Sequence, residues 1–158
     1  GQMWELVGDT EAAIREYTAA MAAAPADREA PALLLAAYRR GNNTAAADSL
    51  LGKLAAGTDP DLRRWAKRMQ SAALVAGPDA IANVPRALQL LDENIAEADR
   101  GEDRRARAFV LCADPLQRKA GLTELKSLRA REPLSADDAF RLAGILIEGA
   151  KFADAEKE

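Results

Sequence analysis

The feature that most constrains this chain is a break in helical pattern that recurs at nearly constant spacing. Turn residues fall near Gly8, Gly41, Gly77, Asp114 and Gly149, separated by 33, 36, 37 and 35 positions. Between them the apolar residues follow helical periodicity. Ala13, Ile14, Tyr17, Ala20 and Met21 share one stripe; so do Leu62, Trp65, Met69, Ala73 and Ala76. Composition agrees. The 158 residues include 37 alanines, the best helix formers, and only 4% aromatics. The expected fold class is all-α, built from about ten helical segments that pair around the recurring breaks.

Local signals set the expected boundaries. Pro25 closes the first segment, Gly41-Asn42-Asn43 is a turn, and Thr58-Asp59-Pro60 reads as a capped helix start. Gly77-Pro78-Asp79 breaks the pattern, Ala80 to Val84 reads as an extended connection, and Pro85 as the start of the next helix. Ser135-Ala136-Asp137-Asp138 resembles a capping box. The units are expected at 1–25, 26–57, 58–99, 100–133 and 134–158 in a single array.

Composition also excludes chemistry. Without histidine there is no Ser-His-Asp triad and no imidazole ligand. The single Cys112 cannot form an internal disulfide, and its apolar neighbours Val110, Leu111 and Ala113 point to a buried thiol. The acidic pairs Asp92-Glu93, Glu102-Asp103 and Asp137-Asp138 read as helix caps and solvated faces. Gly77-Pro78-Asp79 lacks the glycine spacing and lysine of a phosphate loop. No catalytic residue, metal ligand or cofactor is expected. A net charge of −3 argues against nucleic acid, and no apolar run is long enough for membrane insertion.

The ends resemble the tetratricopeptide (TPR) family by motif, and the whole chain does so by period. Gly1, Trp4, Gly8-Asp9, Ala13, Tyr17, Ala20 and Pro25 fall on the family's small, aromatic, turn and proline positions. Leu142, Ala143, Leu146, Phe152 and Ala155 do the same at the other end. The middle departs: Gly41 comes one residue early, Lys53 replaces a small residue, and Gly121 stands where alanine is expected. The resemblance implies a right-handed superhelical α-solenoid of about five helix-turn-helix pairs, with Ala13 and Ala20 at tight helix crossings.

The family lines a concave groove with the first helix of each pair. Carried over, Arg28, Tyr38, Arg39, Arg64, Lys67, Phe140 and Glu148 are candidates to face a partner peptide. Tyr38 and Phe140 could equally serve packing between units. The basic clusters Arg63-Arg64-Lys67-Arg68, Arg104-Arg105-Arg107, Arg118-Lys119 and Arg129-Arg131 read as solvated faces or as a stripe for an acidic peptide. The expected function is a non-catalytic scaffold binding a protein or peptide. The alternative is a structural spacer or self-assembling segment without a groove ligand. The truncated first and last units, with Trp4, Leu6, Leu142, Ile145 and Leu146 lacking a complete partner helix, suggest a fragment of a longer repeat protein. Its uncapped ends would be surfaces for self-association.

Overall fold

A computed structural model describes residues 9–25 and 27–155, with side chains to residue 147. Among them every regular element is a helix: α1 (Thr10–Ala23), α2 (Glu29–Arg40), α3 (Thr44–Ala55), α4 (Pro60–Leu74), α5 (Ala80–Glu97), α6 (Gly101–Cys112), α7 (Arg118–Arg129) and α8 (Ala136–Ala155). Neighbouring helices pack on one another, and the chain gathers into two compact units, Gly1–Gln70 and Ser71–Glu158.

In the first unit, short polar side chains start the helices by taking the unpaired N–H groups of the first turn. Asp9 Oδ1 accepts from Ala12 at 2.9 Å and Asn43 Oδ1 from Ala46 at 3.1 Å. Asp59 Oδ1 accepts from both Asp61 and Leu62 at 2.9 Å, and Pro60 takes the first helical position, where no N–H is needed. Asn42, at φ 52°, adopts the left-handed conformation that reverses the chain between α2 and α3. Tyr17 from α1, Leu34 and Leu35 from α2, and Leu50 and Leu51 from α3 form the core, with Ala66, Trp65 and Met69 of α4 against it. Each fully buried leucine contributes about 1.5–3 kcal/mol. Ala13 is fully buried in this core, as a tight crossing requires. Ala20 is exposed, so no tight crossing forms over it among the described residues; the helix expected to cross there, residues 1–8, lies outside them.

The second unit corrects two expected boundaries. Residues 80–84 are not extended but form the first turn and more of α5, so Pro85 lies inside the helix. Pro85 removes one N–H, which leaves the Ile81 carbonyl without its intrahelical donor. Both residues are exposed, so that carbonyl can meet water. At the other end α8 runs unbroken through Gly149 to Ala155. One glycine costs a helix about 1 kcal/mol relative to alanine, too little to end it without a packing partner that demands a turn.

Two apolar clusters hold α5, α6 and α7 together. Val84, Ala87, Leu91 and Val110 make the first; Ala108, Phe109, Cys112 and Leu125 make the second. Gly121 explains how closely α7 approaches α6. A Cβ there would lie 2.6 Å from the Ala108 carbonyl oxygen, 2.7 Å from Cys112 Sγ and 3.0 Å from the Cys112 nitrogen. The two nearest distances are closer than real Cβ contacts come, and one is to backbone. Alanine, the residue the TPR pattern wants at this position, has no room here.

Candidate interaction surface

The arginines of α6 are the densest basic cluster of the second unit, and they are largely occupied within it. Arg104 forms a bidentate pair with Asp99 at 2.5 and 2.7 Å. Arg107 reaches Asp92 of α5 at 2.8 Å and Glu124 of α7 at 3.1 Å. Arg105 reaches Glu132 at 2.7 Å, after α7, and Asp138 of α8 at 3.6 Å. The charges respond accordingly. The Arg104 hydrogen bond holds the Asp99 carboxyl below its ordinary range, and the Asp92 hydrogen bond raises Arg107 above its own. Solvent screens such surface pairs, so each adds little to stability. Their joint effect is on recognition: this stripe offers an outside acid little unpaired charge. Beneath it Asn94 donates to Asp103 at 2.9 Å, both residues fully buried, which fixes α5 against α6.

Cys112 is a packing residue. Burial pushes its thiol up to about 11, against a weaker opposing pull from Arg118, so almost no thiolate exists near neutral pH.

A different arrangement stands at the far end of the unit. The last turn of α7, the connection after it and one face of α8 enclose a groove lined by Arg129, Arg131, Pro133, Leu134, Leu142 and Leu146, among others. Helix α8 is anchored on one side only. Leu142 and Ile145 pack against the cluster of Phe109 and Leu125, and the Arg141 guanidinium lies 4.2 Å from the centre of the Phe109 ring. Among the described side chains of α8, three large apolar ones are open to solvent: Phe140 is 81% exposed, Ile147 57% and Leu146 49%. A smaller exposed pair, Ile81 and Leu116, stands near Pro78 and Pro115, where α5 begins and α6 gives way to α7.

The candidates read from sequence do not form one site. Arg28 and Arg39 are both exposed but stand at opposite ends of α2, roughly 16 Å apart along the helix. Tyr38 is half-buried and packs against the first unit's core. Lys67 is half-buried. Arg64 is only 2% exposed, so its guanidinium does not face an open groove. Phe140 is on the surface, and the side chain of Glu148 lies outside the described residues. Sequence reasoning marked Leu142, Ile145 and Leu146 as half-covered but did not see the groove beside α8. Its signal was present in Ile145-Leu146-Ile147, an apolar run that no single helix face can bury.

Compared with protein-family models, with curated proteins and with solved structures, the chain matches none. The TPR resemblance therefore rests on the residues themselves. Among the described residues no helix is long and apolar enough to cross a membrane, and no cluster of three or more acidic or cysteine side chains could hold a metal ion.

Proposed function

We propose that this chain is a non-catalytic protein-interaction module, a TPR-like right-handed solenoid whose first-of-pair helices α2, α4, α6 and α8 present residues to a partner protein or peptide. One observation carries the reading: α8 keeps three large apolar side chains in solvent beside a groove. Scattered single apolar residues are ordinary on a surface, whereas a cluster on one helix marks a contact surface. The helix pairs α2–α3 and α6–α7 support the repeat reading, because each begins close to an expected unit start. The exposure of Arg28, Arg39 and Phe140 supports a partner-facing role for the first helices of their pairs.

The same uncovered helix favours a second reading, in which the chain stacks on copies of itself as a structural segment. Sedimentation velocity over a hundredfold concentration range, followed by reconstitution with partners identified by cross-linking, separates the two. A monomer that forms a stoichiometric complex with a purified partner supports the module. Concentration-dependent oligomers with no stoichiometric partner overturn it in favour of self-assembly.

A further inference from the structure

We infer that the groove between the end of α7 and α8 is a docking site for an acidic amphipathic helix of a partner protein. The inference rests on the interaction-module reading and gives it a place and a partner chemistry. Two independent features of the groove carry it: the arc of α8 that is apolar, and the charge left over on the groove's rim.

The apolar arc is too wide for the neighbours α8 has. At about 100° per residue, Leu142 and Ile145 point to the core, and Ala139, Ala143 and Leu146 follow on the groove side. Phe140 and Ile147 continue the same arc beyond them. A helix apolar over more than half its circumference is a helix covered from more than one side. Among the described residues the second unit covers only one. The groove wall opposite Leu146 is also apolar, formed by Pro133, Leu134 and Ala130. A second helix laid along it would meet apolar side chains on two sides, the arrangement by which grooves take amphipathic helices.

The rim selects the sign of the occupant's polar face. Arg129 and Arg131 line the groove and are exposed; neither forms an ion pair among the described residues, and the charge of Arg131 reaches only Asp99, which Arg104 already holds. Glu132, the acid between them and Pro133, is engaged by Arg105 at 2.7 Å. The α6 arginines have used the local carboxylates, so the rim keeps two cations and no uncommitted acid among the residues that line it. A basic helix would meet Arg129 and Arg131 as like charges; an acidic one pairs with them. The Ile81 and Leu116 patch has no such rim, since its one arginine, Arg118, donates to the Cys112 carbonyl at 3.3 Å.

The probe is a fluorescein-labelled peptide of about 18 residues, long enough to span the groove, with leucine at i, i+3, i+4 and i+7 and glutamate elsewhere. Its counterpart carries lysine for glutamate. Anisotropy titration of the whole chain should show binding of the acidic peptide alone, weakening as salt rises because the rim charges are screened. Arg129→Glu with Arg131→Glu should weaken it about tenfold or more. Leu146→Asp should do the same, and so should Ala143→Glu, which blocks the groove from a position already in solvent. Circular dichroism should show all three variants as helical as the parent.

Equal binding of both peptides, or binding of neither, overturns the inference. Acidic-peptide binding that all three variants leave unchanged places the contact elsewhere: the groove assignment then fails while the interaction-module reading stands. A self-association that Leu146→Asp abolishes makes the occupant a second copy, which overturns both.

Discussion

Helices α7 and α8 both lean on the Phe109–Leu125 cluster, yet they are held in different ways. At α7 the contact is closed. Gly121 removes the side chain that would keep the backbones apart, Leu125 is fully buried, and Leu128 nearly so. At α8 the contact is one-sided: Leu142 and Ile145 are partly buried, and Phe140, Leu146 and Ile147 remain in solvent. Helix α8 is the richer in apolar residues, 12 of 20 against 4 of 12 in α7, so hydrophobic content does not explain why α7 is the closed one. What separates them is a small residue at the point of closest approach. The lesson is that apolar surface serves stability where geometry lets it close and stays available for contact where geometry leaves it open.

The comparison can be broken first at Leu125. Leu125→Ala removes a fully buried side chain and should cost about 2–5 kcal/mol, whereas Leu146→Ala should cost under about 0.5 kcal/mol. Equal losses in urea unfolding would mean that α8 is packed as tightly as α7. Gly121→Ala comes next. The added methyl improves helix propensity by about 1 kcal/mol but overpacks the contact by about 1–3 kcal/mol, so the net change should be destabilising. A stabilised Gly121→Ala would show that α7 stands farther from α6 than described. Third, Asn94→Ala takes a donor from the buried Asp103 side chain and should cost about 1–3 kcal/mol in urea unfolding. A change under about 0.5 kcal/mol would mean that the hydrogen bond does not fix α5 against α6. The smallest effect is at Ala20. Ala20→Leu, on the exposed side of α1, should shift stability by no more than about 0.5 kcal/mol. A loss of a kilocalorie or more would restore the tight crossing that the family pattern implies.

Those sites also mark where the sequence was readable. Asp59-Pro60, Asn43 and Ser135 announce helix starts because capping is a local interaction, settled within three residues, and Ser135 Oγ does accept from Asp138 at 3.1 Å. The all-helical class and the pairing of α2–α3 and α6–α7 follow from apolar periodicity in the same local way. Pro85 and Gly149 misled for the opposite reason. Each weakens a helix locally, and only packing decides whether the helix ends there. Gly121 could not be read as a close approach, because the atoms it avoids belong to Ala108 and Cys112 on another helix. Nor could the occupation of Arg105 and Arg107, whose partners stand 27 and 15 or 17 residues away. A basic run in sequence therefore looks the same whether it is spent on the protein's own carboxylates or kept for a partner's. Arg129 and Arg131 form no ion pair among the described residues, and only the neighbours distinguish them from Arg105 and Arg107.

Hydrogen exchange followed by mass spectrometry tests the contrast between the closed and the open helix most directly. In the free chain the amides of α6 and α7 should exchange only through near-global unfolding, while residues 136–147 of α8 should exchange through a far cheaper local opening. Adding the acidic amphipathic peptide at saturation should slow exchange across residues 129–147 and leave α6 unchanged. Protection of α8 equal to that of α7 in the free chain, or peptide-induced slowing that falls outside residues 129–147, would contradict the account.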